Sequence, residues 1–175
     1  LRAGIAAQPG CVTVQLDWRN AFNTLSRQKM LDAVAERAPA LLPLANWAYQ
    51  AHSTLHLRGR PDAALTSQRG VRQGDPLGTL LFALTLQGPL QDLQGAFQTV
   101  RPLAYADDTF LQGSAEGVTA AFPVLCQLVE PLGLQAVAAK CAAYSEDRAA
   151  AAQVAAALHI RHAADGLLAT GSPIG

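Results

Sequence analysis

Ala106-Asp107-Asp108 interrupts an otherwise apolar run, with Leu103-Ala104-Tyr105 before it and Thr109-Phe110-Leu111 after it. The flanks read as the arms of a β-hairpin, which puts both acids at its turn. Aspartate suits turns, so a solvated turn is the plainest explanation of either acid taken alone. Two adjacent like charges repel, however, and between partly buried arms that repulsion calls for a cation or bulk water to offset it. A third acid, Asp17, ends a second strand-like run, Val12-Thr13-Val14-Gln15-Leu16, in which aliphatic and polar residues alternate. The alternation predicts Asp17 on the face opposite Val12, Val14 and Leu16. If Asp17, Asp107 and Asp108 converge, they make an all-oxygen site of the kind that takes Mg²⁺ or Mn²⁺ together with substrate phosphates.

A chain of 175 residues, 50% of them apolar, can bury the core of one domain, or of one domain and part of another. Formal net charge is zero, which argues against a freestanding nucleic-acid binder, since such proteins are usually basic. Locally the balance differs: Arg58, Arg60, Arg69 and Arg72 face a single acid, Asp62, in that stretch. Cys11, Cys126 and Cys141 form neither a C-x-x-C clip nor a disulfide framework, which suits a reducing intracellular compartment, cytosol or nucleus. No leader peptide opens the sequence. The most apolar stretch, Pro76 to Leu90, is broken by Thr85, Gln87 and Gly88 and is too short to span a bilayer. A start at Leu1 and a stop at Gly175 read as a piece of something longer.

Ser26 predicts the cap of a helix running to about Arg37, with Met30, Leu31 and Val34 on its buried side and Pro39 beyond its end. A second helical stretch runs from about Leu41 to Ala51 and contains Trp47 and Tyr49. Leu55 and Leu57 then alternate with Thr54, His56 and Arg58, Gly59-Arg60-Pro61-Asp62 supplies a turn, and Ala64 to Gln68 returns as a strand. Asp75-Pro76 predicts the start of a helix through Leu77, Leu80, Leu81 and Leu84 to about Leu93, weakened or bent at Gly88-Pro89. A helix from Ala115 to Val129 closes at Pro131 and Gly133. The strand Cys141–Ser145, an alanine-rich helix from about Glu146 to Leu158, and a strand-and-turn segment from Gly166 to Gly175 complete the chain. No βαβ rhythm links these elements, so the expected class is α+β, with helices on one face of an antiparallel sheet.

Between the second strand pair and the long helix lies Gln68-Arg69-Gly70-Val71-Arg72-Gln73-Gly74-Asp75. Its glycines let backbone approach a ligand closely, although alone it also reads as an ordinary helix-entry loop. Three strings, VQLDWRNAFNTLSR, QRGVRQGDPLGTLLFALTLQ and LAYADDTFLQG, occur in that order. Together they resemble palm motifs A, B and C of reverse transcriptases, in particular those of non-LTR, LINE-like retrotransposons. Gly133-Leu134 through Lys140-Cys141 resembles motif D, and Gly171-Ser172-Pro173-Ile174-Gly175 the start of the primer-grip region. The resemblance covers most of the chain, and the combination is specific where a YADD-like tetrapeptide alone is not. It implies one incomplete reverse-transcriptase domain, palm over about 1–24 and 74–175 and a fingers portion over about 25–73. The basic N-terminal fingers segment, the thumb and any endonuclease domain fall outside it.

The resemblance also implies roles. Asp17, Asp107 and Asp108 would be the catalytic carboxylates and would hold two Mg²⁺ or Mn²⁺ ions. Asn20 and Ala21 would offer backbone N–H groups to the triphosphate, and Phe22 would occupy the steric-gate position, favouring deoxynucleotides. Gln73 and Gly74 would line the nucleotide and template side, Arg72 would assist with phosphate, and Tyr105 would pack beside the primer end. Lys140 matches the motif D lysine that protonates departing pyrophosphate, although it reads equally well as a solvated lysine. The sequence departs from the family three residues earlier: Val137 stands where relatives tend to carry an Asn that orders the turn.

The activity implied is RNA-directed DNA synthesis, with RNA template, DNA primer and dNTP as partners. The isolated segment is expected to be inactive or nearly so. Three alternatives stay open: a decayed or domesticated palm that only binds nucleic acid or protein, an RNA-dependent RNA polymerase or telomerase-like enzyme, and a two-metal phosphoesterase. The acids disfavour the first, Phe22 disfavours RNA synthesis, and no histidine ligands near the acids support the last.

Overall fold

Alternation fixes the first element: in β1 (Val12–Leu16), Val12, Val14 and Leu16 are fully buried. The computed structural model describes residues 10–169 and 172–174. After β1 come a single helical turn, α1 (Ala21–Thr24), and α2 (Arg27–Arg37), where Ser26 accepts the Lys29 N–H as its cap. Met30 and Val34 of α2 are buried as expected; Leu31 packs only partly. The expected helix over Leu41–Ala51 is shorter: a 3₁₀ turn (Pro39–Leu41) leads into α3 (Leu42–Tyr49), whose Tyr49 is buried while Trp47 is 83% exposed. The hairpin β2 (Ser53–Leu57) and β3 (Arg60–Ser67) follows, with a register shift between His56 and Leu57.

The long helix α4 (Gly78–Ala96) starts two residues later than Asp75-Pro76 suggested. Asp75 bonds the Leu77 N–H through Oδ1 at 2.8 Å, closing an Asx turn before the helix rather than capping it. Nor does Gly88-Pro89 end it; Arg37 of α2 reaches across to Gln91 at 2.8 Å and braces the far side. The second hairpin is β4 (Arg101–Tyr105) and β5 (Asp108–Gly113), followed by α5 (Ala115–Val129) and a 3₁₀ turn (Glu130–Leu132). β6 (Ala142–Tyr144), α6 (Arg148–Leu158) and β7 (Arg161–His162) lead to the small pair β8 (Leu167–Ala169) and β9 (Ser172–Ile174). Gly171 and Gly175 of the segment likened to the primer-grip region lie outside the described residues.

The main sheet has the order β4-β5-β1-β6-β7 and is antiparallel except for the last pair. Its chain order is that of an α+β fold, as the lack of a βαβ rhythm implied. One face carries Val12, Val14, Leu16 and Leu111, which pack with Met30, Leu81, Phe82, Leu125 and Val154 in one continuous core. Each such side chain contributes about 1.5–3 kcal/mol by leaving water. On the other face Phe110, Ala142, Ala163 and Leu167 form a second, smaller buried cluster, with Leu103 and Tyr144 packed against it. Among the described residues no helix is long and apolar enough to cross a membrane.

The β4–β5 turn bends through Ala106 at φ +53°. A left-handed backbone costs an L-residue with a Cβ about 1–2 kcal/mol. Ala106→Gly is therefore expected to stabilise the fold by about 0.5–1 kcal/mol, once glycine's larger unfolded-state entropy is offset. Urea denaturation measures this directly, and a lowered midpoint would refute it.

Candidate active site

The β1–β5 ladder ends at the pair Leu16–Thr109. One residue further, Asp17 and Asp108 stand at the ends of adjacent strands, whose paired Cα atoms lie about 4.5–5.5 Å apart in an antiparallel sheet. Paired residues share a face, so Gln15 and Phe110 point away from the helices, and Asp17 and Asp108, two positions along, point with them. Gln15 donates to Asp108 Oδ1 at 3.5 Å. On the opposite, buried face the neighbours of the two acids bond each other: Trp18 Nε1–H donates to Thr109 Oγ1 at 2.9 Å. Both are buried, so this bond fixes the register at the point where it matters to the acids.

Asp107 is exposed at the tip of the turn, and Tyr105, paired with Asp108, is 66% exposed. Among the described residues no three His, Cys, Asp or Glu side chains form a ready-made metal cage. The donor set still suits Mg²⁺, which binds one or two carboxylates and completes its shell with water and substrate phosphates. A cation is already drawn there: Lys140 Nζ lies 3.6 Å from Asp17 Oδ1, with both side chains well exposed. A pair so open to solvent is worth about 0–1 kcal/mol, so it would yield readily to a stronger cation.

Asp17 is tied into the following turn by its main chain. Its carbonyl accepts the Val137 N–H at 2.9 Å, and its N–H donates to Cys141 Sγ at 3.5 Å. Val137 in turn accepts from the N–H groups of Lys140 and Cys141, at 2.8 and 3.1 Å. Backbone bonds therefore order this turn with Val137 in place of the Asn that the resemblance led one to expect. Burial pushes the Cys141 thiol up, and burial together with neighbouring Cys141 pushes Cys126 up to about 11. Both stay protonated at neutral pH.

The residues expected on the nucleotide side gather around α1. Asn20, at φ +52°, and the buried Ala21 open that turn, and the half-buried Phe22 stacks on Phe82 with ring centroids 4.8 Å apart. Val71 N–H donates to the Phe22 carbonyl at 2.8 Å and Gly70 N–H to the Leu25 carbonyl at 2.7 Å, which straps the 68–75 loop onto α1. A groove of about 200 Å³ results, lined by Phe22, Arg72, Gln73 and Gly74 among others. Arg72 does not extend freely into it: its guanidinium donates to Ser53 Oγ at 2.7 Å. Sequence reasoning missed Trp18 and Tyr49. The only signal for Trp18 was its place beside Asp17; Tyr49 lay outside every motif.

Comparison with known proteins adds a family. Residues 4–157 match the family described as reverse transcriptase (RNA-dependent DNA polymerase). Over 124 residues the chain is 32% identical to the retrotransposable element SLACS 132 kDa protein of Trypanosoma brucei gambiense, covering 68% of this chain and 10% of that protein. Over 138 residues it is 30% identical to the Pol polyprotein of a type-1 retrotransposable element R2 from Nasonia vitripennis, covering 72% of this chain and 13% of that protein. The chain thus spans only a small part of these relatives. Among solved structures, apo telomerase from Candida tropicalis superposes with a TM-score of 0.61 at 10% identity, over 80% of this chain and 29% of that one. Candida tropicalis telomerase in complex with a fragment of telomeric RNA gives 0.56 at 11%, over 79% and 26%. At such identities the likeness concerns the fold.

Proposed function

Because the chain belongs to the reverse transcriptase family, we propose that it forms the palm, with a portion of the fingers over about 25–73, of an RNA-directed DNA polymerase of retrotransposon type. The observation that carries this is the Leu16–Thr109 register, beyond which Asp17 and Asp108 stand at the ends of neighbouring strands on the face of the sheet away from the main core.

In this reading Asp17, Asp107 and Asp108 are the residues that would hold the divalent cations. When bound there, Mg²⁺ or Mn²⁺ supplies charge neutralisation at the phosphates and eases deprotonation of the attacking hydroxyl. The chain's own residues do the rest. Tyr105, beside Asp108, packs against the primer end and brings the 3′-hydroxyl toward the α-phosphate of the dNTP, while the RNA template selects the base. Lys140 carries a proton at the rim and gives it to the departing pyrophosphate. Phe22 fills the space a ribose 2′-hydroxyl would need, and its packing on Phe82 keeps it from swinging aside.

Primer extension on an RNA template by the whole protein tests the reading. Incorporation of dNTPs in Mg²⁺ or Mn²⁺ is expected, with NTPs largely rejected. Phe22→Ala is expected to narrow that preference by about 10–100-fold, the discrimination a shape-filling contact gives. An unchanged preference would remove Phe22 from the gate. Absence of any template-directed synthesis would leave only a binding role.

A further inference from the structure

Tyr49 lies outside every motif named above, yet it is 1% exposed and its hydroxyl is engaged twice. It donates to Asp75 Oδ2 and accepts the Arg72 N–H at 3.1 Å. Its ring is covered on charged flanks as well: the guanidinium carbons of Arg27 and Arg72 lie 5.5 and 5.3 Å from its centroid. Burial first, and then the bond to Asp75, push the hydroxyl above its usual range, so it remains a donor at any physiological pH.

The groups it joins come from four parts of the chain. Arg27 opens α2 and, itself 7% exposed, donates to the carbonyls of Gly70 (3.0 Å) and Ser67 (2.9 Å) and to Ser67 Oγ (3.0 Å). Arg72 bonds Ser53 at the start of β2. Asp75, besides receiving the Tyr49 hydroxyl, accepts the Leu77 N–H ahead of α4. The loop that carries Gln73 and Gly74 is thus anchored at both ends: Arg27 holds residue 70, and Tyr49 holds residues 72 and 75. The straps onto α1 stop at Val71, so among the described residues the outer half of the loop is held by Tyr49 together with the Arg72–Ser53 bond and the Asp75 N–H to Arg72 carbonyl bond at 3.1 Å.

We propose that Tyr49 is a positioning residue for nucleotide binding: it holds the 72–75 half of the loop against Phe22 and so keeps the 200 Å³ groove open in the shape the incoming nucleotide needs. It touches neither nucleotide nor cation and acts through Arg72 and Asp75. Losing the hydroxyl loosens the groove wall without altering the acids, so the cost falls on substrate binding rather than on the chemical step. This rests on the polymerase reading, and the test keeps the two separable.

Tyr49→Phe keeps the ring and both cation contacts and deletes only the hydroxyl. Amide exchange in the chain itself is expected to quicken about tenfold at Arg72, as one backbone hydrogen bond is lost, with exchange in α2 and β1 unchanged. In the whole protein, KM for dNTP is expected to rise about 5–10-fold while kcat stays within about twofold, the pattern of lost ground-state binding. Asp75→Asn, which keeps an acceptor for the phenol, is expected to restore part of the Arg72 protection relative to Asp75→Ala. Uniformly faster exchange throughout the chain, or a Tyr49→Phe protein with wild-type KM, would overturn the proposal. If wild type made no DNA at all, the polymerase reading would fall, and exchange at Arg72 would still decide whether Tyr49 holds the loop.

Discussion

An Asp107→Asn protein is expected to lose template-directed synthesis by on the order of 10³-fold or more, the scale on which preorganised charge stabilisation contributes to an enzymatic step. Asparagine is nearly the same size and is equally at home in a turn, so the β4–β5 hairpin is retained. What goes is the charge at the tip of the turn, next to Asp108, and on the polymerase reading part of the attraction for divalent cations. The protein has its own optical reporter for this. Trp18 follows Asp17 in sequence and is 5% exposed, whereas Trp47 is 83% exposed and can be replaced by Phe without disturbing the core. In a Trp47→Phe background, Mn²⁺ is expected to quench Trp18 emission in a saturable manner, and Asp107→Asn to weaken that saturation at least tenfold. A variant that kept more than about a tenth of wild-type synthesis would remove Asp107 from the reaction, since loss of even one well-placed charge costs about 10²-fold.

Gly70→Ala is expected to be the most damaging alanine substitution among the described glycines, at about 3–4 kcal/mol. Two independent causes add there. Its φ of +74° is strained for any side chain, and an added Cβ would sit 2.5 Å from Asn23 Cα and closer still to the Phe22 carbonyl oxygen. Neither neighbour is a flexible side-chain end that could move away. The Phe22 carbonyl is also the acceptor for Val71, so any shift that relieves the clash breaks the strap between the loop and α1. Chemical denaturation reads the loss. A cost below about 1 kcal/mol, that of ordinary glycine strain alone, would mean that the loop and α1 are not in contact as described.

Local pattern made much of the fold legible. The alternation in Val12–Leu16, the Ser26 cap and the Ala106-Asp107-Asp108 turn each follow from short-range rules, and each element formed with nearly the expected bounds. The gap appears where a residue's partner is distant. Asp75 before Pro76 looks like a helix cap until Tyr49, 26 positions away, takes one carboxylate oxygen. Arg27 reads as the solvated first turn of a helix, and only the arrival of Ser67 and Gly70 from 40 and 43 residues away turns it into a buried tether. Helix α4 runs through Gly88-Pro89 as its apolar pattern implied, and what the pattern did not contain is the Arg37 brace from another helix. For the site, type and spacing named the acids, but only strand register could make Asp17 and Asp108 neighbours. Pairing order is a property of the whole sheet, and no window of sequence contains it.

The two sides of the β1–β5 ribbon answer to different kinds of selection. Val14 and Leu111 meet helices, where an exchange among aliphatics of similar volume costs under about 1.5 kcal/mol. On the polymerase reading Asp17 and Asp108, on the other side, would hold cations, where no substitute carboxylate geometry is equivalent. A lineage can therefore rewrite the helix-facing half of this ribbon almost freely while the outward half stays frozen. Homologues that diverge beyond recognition in their interiors should still betray themselves by every second residue of two strands.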